Sequence, residues 1–227
     1  MPGLNGFMLV TPASVPGRGV ITFEEPLTPT NDQITVDAYI YVNNLPEGHQ
    51  GTPRILSKYS HFEGDRHRGW EWILTPTGHI QFRVNQASQA KGMGGDVTLD
   101  SSSRLPIREW VHVATVYDAP NGELRLYIDG KVSATRRIAN LPMRPTPGQD
   151  LYLGRYGGQD SHQFDGMIDE LRITGEALTF STKPSHPYTG HEPNTIGLYH
   201  FDQVGPTFVV TNSSDPVRLP LQVVGGG

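Results

Sequence analysis

The chain contains no cysteine. Disulfide bridges, zinc–thiolate sites and thiol catalysis are therefore excluded together. Charge of one sign is equally scarce, with 18 Lys and Arg against 23 Asp and Glu and a formal net charge of −5 over 227 residues. Without a basic cluster there is no electrostatic footprint for nucleic acid or for an acidic membrane surface. No apolar run approaches the roughly 20 residues that a bilayer span needs, so membrane insertion is not expected. The opening MPGLNGFMLVTPAS lacks the basic and long apolar regions of a secretory signal. Either that export route is not used or the signal has been removed. A Gly-x-Ser-x-Gly elbow, a phosphate-binding glycine loop and a His-Glu-x-x-His zinc helix are also missing.

Turn formers and alternating apolar residues are what the sequence does have. Its 26 glycines and 19 prolines are spread along the whole length, as many short strands and turns require. The most orderly stretch is WVHVATVYDAPNGELRLYIDGK, from Trp110 to Lys131. Val111, Val113 and Thr115 alternate with His112, Ala114 and Val116, and Leu124, Leu126 and Ile128 alternate with Arg125 and Tyr127. Pro120-Asn121-Gly122 and Asp129-Gly130 supply the turns. Similar runs recur from Gly19 to Glu24 through Gly166 to Ile173, and one short helical turn is expected over Gly175 to Phe180. The fold class implied is all-β, a two-sheet antiparallel sandwich or jelly roll, and the length suits one domain of ordinary size.

In order, ITVDAYIYV, ILSKY, GWEWILTPTGHIQFRV, REWVHVATVYD, GELRLYIDGK, LYLGR and FDGMIDELRITGEAL resemble the laminin-G-like group of concanavalin A-like lectin/glucanase domains. Each motif is weak alone; the order and spacing carry the resemblance, over about Gly19 to Phe180. It implies a jelly roll whose curved sheet and rim loops bind sugars or proteins, with Trp110 and Tyr117 as packing residues of the core hairpin. His112 is then a structural histidine, since no nucleophile or carboxylate partner is placed beside it by the sequence. The domain is expected to run over residues 1–181, followed by a polar, Pro-rich linker or long loop over 182–194 and by terminal strands over 195–227. By the resemblance, those last strands look like the opening strands of such a domain. They either return to the same sandwich, as in a circular permutation, or pair with a neighbouring subunit.

Glycoside hydrolases on this sandwich present Glu-x-Asp-x-x-Glu on one strand, and the nearest match, Glu63-Gly64-Asp65, has Arg68 at the last position. Catalysis is not expected. The resemblance places Asp169 where glucanases of the superfamily hold a structural calcium, with Glu24 as a second contributor, and hard oxygen ligands suit that ion. His61, Glu63, Asp65 and His67 share one loop that reads as solvated. For a ligand, alternation in HIQFRVN turns Ile80, Phe82 and Val84 to one face and Gln81, Arg83 and Asn85 to the other. Amides and a guanidinium suit paired sugar hydroxyls, and Tyr59, Trp70, Tyr156 and His162 are the rings that could meet a sugar's C–H side. The function these residues imply is a non-catalytic binding or adhesion module, for carbohydrate or glycoprotein, in an extracellular or cell-surface setting. The alternative is a structural subunit of a virion, extracellular filament or surface layer, self-assembled through its terminal strands. A polysaccharide-active enzyme comes third.

Overall fold

The computed structural model describes residues 8–10, 18–21, 32–46, 51–60, 67–87, 95–146, 148–157, 162–184, 187–188, 194–201, 209–210 and 221–224. Among these residues fifteen strands follow one another: β1 (Met8–Val10), β2 (Arg18–Ile21), β3 (Gln33–Val42), β4 (Arg54–Ser60), β5 (Arg68–Leu74), β6 (Ile80–Asn85), β7 (Asp96–Asp100), β8 (Trp110–Asp118), β9 (Glu123–Ile128), β10 (Lys131–Arg137), β11 (Leu151–Leu153), β12 (Gly166–Thr174), β13 (Thr195–Tyr199), β14 (Val209–Val210) and β15 (Leu221–Val224). Among the described residues there is no helix. The strands form two antiparallel sheets packed as the expected sandwich. Sheet A runs β1-β12-β3-β8-β9-β10, with β13 also on β12, and sheet B runs β14-β15-β2-β11-β4-β5-β6-β7.

Between the sheets lies the apolar half of each alternating strand. Ile34, Val36, Ala38, Ile40 and Val42 of β3, Val111, Val113 and Tyr117 of β8, and Trp72, Leu74, Ile80, Phe82 and Val84 of β5 and β6 are all buried there. Burial of each such side chain contributes roughly 1.5–3 kcal/mol. A buried polar contact crosses this layer. Trp72 Nε1 donates to Thr115 Oγ1 at 2.8 Å, so the indole N–H of sheet B is satisfied by sheet A rather than left bare in the core. The β8–β9 hairpin is the frame of sheet A. Tyr117 lies in its core and Trp110 packs at its end on Tyr41, ring centroids 5.5 Å apart.

Strand β12 organises the edge of sheet A. One side pairs with β3. The other side is shared, with β1 along Gly166–Ile168 and β13 along Leu171–Thr174. In sheet B, β15 pairs with β2 from Leu221↔Ile21 to Val224↔Arg18. Segments near both ends of the chain are thus laid into both sheets by backbone hydrogen bonds.

The outward face of sheet A is covered by the chain that follows β12. Gly175 to Phe180 is an irregular strap rather than the expected helical turn, because its polar groups go to the sheet instead of to a helix. Leu178 N donates to Thr35 Oγ1, which in turn donates to the Glu176 carbonyl, while Phe180 packs on Ala114, Val116 and Tyr127. The described part of the 182–194 segment continues across the same face. Tyr39 Oη donates to the Pro184 carbonyl, and Lys183 pairs with Asp129 at 2.8 Å. A Cβ at Gly130, whose φ is +74°, would sit 1.9 Å from the Thr182 backbone, so only glycine lets the strap pass there.

Beneath the strap lies a fully buried polar centre. Asp37 of β3 takes a bidentate hydrogen bond from Arg172 of β12, at 3.0 and 3.1 Å, and its Oδ2 also accepts from the Tyr188 hydroxyl. His112 Nε2 lies 3.2 Å from the same oxygen. Burial alone would raise the Asp37 carboxyl, but the hydrogen bond from His112 and the charge of Arg172 outweigh it and hold the acid below its usual range. Glu170, at a bulge in β12 with φ 50°, accepts the Tyr188 N–H on one oxygen and faces His200 Nδ1 with the other. His112 therefore has a carboxylate partner that the sequence did not place, inside a closed structural network.

Candidate functional site

The outward face of sheet B bears polar residues in rows that run across the strands. One row reads Tyr152–Ser57–Glu71–Arg83–Thr98, each residue the direct cross-strand partner of the next. Beside it on one side lie Arg54, Ile73, Gln81 and Asp100, and on the other Tyr59 with Gly69 and Asn85 with Asp96. The period-2 alternation that sends Trp72 and Phe82 inward sends Glu71 and Arg83 outward.

At the centre, Glu71 is completely buried although it faces away from the core. Two guanidinium groups cover it. Arg54 Nε donates to its Oε2 at 2.8 Å, and Arg83 Nη1 lies 3.0 Å from its Oε1. Arg54 is further fixed by the carbonyl and hydroxyl of Thr52 and is almost buried, whereas the Arg83 side chain stays 24% exposed. Aromatic rings flank both cations: Tyr156 lies 5.3 Å from the Arg54 guanidinium carbon and Tyr59 lies 5.6 Å from that of Arg83.

His162 meets Tyr156 with ring centroids 6.0 Å apart, and its carbonyl accepts the backbone N–H of Arg54. Space for its ring comes from Gly51 (φ +81°), where a Cβ would lie 2.6 Å from His162 Cδ2. Burial first, and then the positive charge of Arg54, push the His162 pKa down. Tyr156 is shifted up, by burial and then by the Glu71 charge.

On the other flank, Asp96 accepts hydrogen bonds from Tyr59 Oη at 2.7 Å and Asn85 Nδ2 at 3.0 Å, and lies 2.9 Å from His67 Nδ1. Burial raises its carboxyl, but the hydrogen bonds from Asn85, His67 and Tyr59 outweigh it and hold the acid low. Two buried polar atoms on this face, Ser57 Oγ and Asn85 Oδ1, have no hydrogen-bond partner.

Of the residues singled out in the sequence, Gln81, Arg83, Tyr156 and His162 share this face and are partly exposed. Three others need correction. Trp70 belongs to the core, 3% exposed, because its cross-strand partner is the inward-facing Val84. Tyr59 and Asn85 are on the expected face but lie at 1% exposure, held down by Asp96, so they support the surface rather than form it. Sequence reasoning missed Arg54 and Glu71. A buried outward Glu opposite Arg83 follows from alternation once the β5–β6 register is known, but the bulge between Arg54 and Leu56 hides Arg54 from a strict count of two.

For calcium, Asp169 is fully buried and its Oδ1 accepts the Glu170 N–H. Among the described residues no three His, Asp or Glu side chains lie grouped as a metal set. The two oxygens of the adjacent Glu170 are engaged by Tyr188 and His200, so the described side chains do not fit a calcium there. Glu24, His61, Glu63 and Asp65 lie outside the described residues, and His67 is at Asp96.

The family model described as "Concanavalin A-like lectin/glucanases superfamily", of the laminin-G type, matches residues 16–181. No curated protein sequence matches the chain. Among solved structures, a carbohydrate-binding protein of Bacteroides ovatus, so described provisionally, aligns at 18% identity and TM-score 0.64, over 97% of this chain and 59% of its own. This chain thus spans about three fifths of that protein. The CBM40 domain of a Ruminococcus gnavus sialidase aligns at 20% identity and TM-score 0.57, over 77% of this chain and 94% of its own. A heptameric pentraxin of Limulus polyphemus aligns at 16% identity and TM-score 0.52, over 79% and 80%. At these identities the likeness is one of fold.

Proposed function

We propose that this chain, which belongs to the concanavalin A-like lectin/glucanase superfamily, is a non-catalytic carbohydrate-binding module whose site is the outward face of sheet B. The observation that carries the reading is the Arg54–Glu71–Arg83 centre flanked by Tyr156 and His162. It offers fixed donors beside ring faces on a rigid sheet, the combination that orients a sugar by its hydroxyls and its C–H side. The same contacts argue against catalysis on this face. Glu71 is held between two guanidinium groups and Asp96 by Tyr59, Asn85 and His67, so neither carboxylate is poised as acid or nucleophile. Several structural neighbours are named for binding, as a carbohydrate-binding protein or a binding domain, which supports the reading at the level of fold. Glycans and glycoproteins of an extracellular or surface setting are the matching partners. β13 and β15, which subunit exchange would use, pair with β12 and β2 of their own chain.

The test is a glycan array probed with the full chain and with Arg83→Ala. Retention of a defined glycan set by the parent and its loss in the variant, with an unchanged melting curve, is the expected result. Retention of the same set by the variant would move the site off this face.

A further inference from the structure

Resting on the binding-module reading, we infer that the ligand of the sheet B face is an uncharged glycan, and that a pair of its neighbouring hydroxyls spans Arg83 and Asp100. At the centre of the face Arg54 and Arg83 meet Glu71, with Asp96 on one flank and Asp100 on the other. Further out, Arg155 lies over the Tyr152 ring with Asp150 close to the same tyrosine, and Arg136 reaches from β10 to the Thr98 carbonyl at the edge. Histidines apart, these are four guanidinium groups and four carboxylates among the described residues of the face and its edge. His162 adds no charge, since burial and Arg54 push it toward the neutral form. No surplus of either sign is left for a ligand to neutralise.

Most of these groups are already engaged. Arg54 takes both oxygens of Glu71, at 2.8 and 3.4 Å, and Asp96 is held by Tyr59, Asn85 and His67. What still meets solvent is one donor and one acceptor. Arg83 carries five N–H groups on a side chain 24% exposed, and one of its nitrogens, Nη1, is directed at Glu71. Asp100 is exposed; Gln81 Nε2 donates to its Oδ1 at 2.7 Å, and among the described residues nothing donates to its Oδ2. Gln81 and Arg83 point the same way from β6 and pair with Asp100 and Thr98 of β7, so Arg83 and Asp100 are diagonal neighbours about 7–8 Å apart. No ion pair joins them among the described residues. The row Arg54–Ile73–Gln81–Asp100 carries the Tyr156 ring at its far end, over Arg54. A hydroxyl both accepts and donates, so one sugar hydroxyl can accept from Arg83 while its neighbour donates to Asp100. A carboxylate or sulfate only accepts and would face Asp100, and an ammonium only donates and would face Arg83. Either charged ligand sets its own sign against one of the two groups, and sugar hydroxyls do not.

The experiment is a glycan array carrying neutral, sialylated, uronate, sulfated and de-N-acetylated amino glycans, followed by calorimetric titration of the full chain with the neutral member it retains best. The retained set is expected to be neutral. Asp100→Ala should weaken the titrated member about tenfold, the size of a hydrogen bond to a charged group, with an unchanged melting curve. Asp100→Asn keeps the side chain's size but leaves Arg83 unopposed, so it should extend the retained set to acidic members, and raised salt should remove them again. Preference of the parent for a charged class, undiminished binding in Asp100→Ala, or an Asp100→Asn variant that still rejects acidic members would overturn the inference. In each of those cases loss of retention in Arg83→Ala would leave the binding-module reading standing. Retention of nothing on the array would overturn both.

Discussion

On sheet A, Asp37 gathers Arg172, Tyr188 and His112 beneath a strap that closes over them; on sheet B, Glu71 gathers Arg54 and Arg83, and Arg83 still reaches solvent. Both centres place an acid on the outward side of a sheet and bury it completely. What separates them is the cover. The strap brings its own donor, Tyr188, and completes the set around Asp37, so that centre is a lock that holds Tyr188, and with it the strap, to the sheet. Glu71 is covered by the arginines of its own sheet, and one of them keeps unused donors. The same chemistry becomes a fastening where a chain segment satisfies it and, on the function proposed above, a receptor surface where no described segment covers it.

Breaking the lock should cost most. Arg172→Met leaves the Asp37 charge buried without its main counter-charge, and a loss of roughly 3–5 kcal/mol is expected in urea denaturation. Tyr188→Phe removes one donor to a charged acceptor and should cost about 1.5–3 kcal/mol, with proteolysis near residues 175–188 as a second readout and glycan binding unaffected. Equal loss of binding would mean that the two faces are coupled. On the open face, Gly51→Ala forces a left-handed alanine against the His162 ring and should cost about 1–2 kcal/mol while weakening binding. Arg83→Ala should change stability by less than about 1 kcal/mol, since its partner Glu71 keeps Arg54.

Acid should distinguish the centres more finely. Asp37 and Asp96 both have depressed folded-state pKa values, so each contributes stability that is present above its unfolded value near 3.9 and lost as pH falls through the folded one. Asp96→Asn should flatten the pH dependence of unfolding below about pH 4 slightly, and Asp37→Asn should flatten it more, because Asp37 is buried and Asp96 is partly exposed. Identical slopes in the two variants would erase the contrast.

Alternation and turn residues made the sandwich legible, because the β8–β9 hairpin and the inward Ile80, Phe82 and Val84 are local patterns with a period of two. The candidate face was legible in part for the same reason. Gln81 and Arg83 follow from their own strand, but whether a residue beside them is reachable depends on partners distant in sequence. Asn85 sinks because Asp96 takes its amide, and Tyr59 because Asp96 of β7 and His67, just before β5, meet it. Trp70 reads in the sequence as a ring that could meet a sugar, and only the register with Val84 assigns it to the core. The strap was illegible for a related reason: its short polar run is ordered by Thr35, Tyr39 and Asp37 far upstream, and nothing within it announces that.

The place of β12 has a consequence for how the protein is made. Its partners lie on both sides in sequence, with Ile168 facing Ile40 in β3 and Met8 in β1, and Leu171 facing Tyr199 in β13. During synthesis β3, β8, β9 and β10 are complete while the β3 edge still waits for a strand more than a hundred residues downstream. Pairings this distant close slowly, and an open edge exposes unpaired amides in the meantime. The nascent chain therefore passes through a stage with part of sheet A formed and the strand that joins β1, β3 and β13 missing. Ribosome-stalled chains ending before residue 166 should be chaperone-bound and protease-sensitive, and those extended past residue 201 should be resistant.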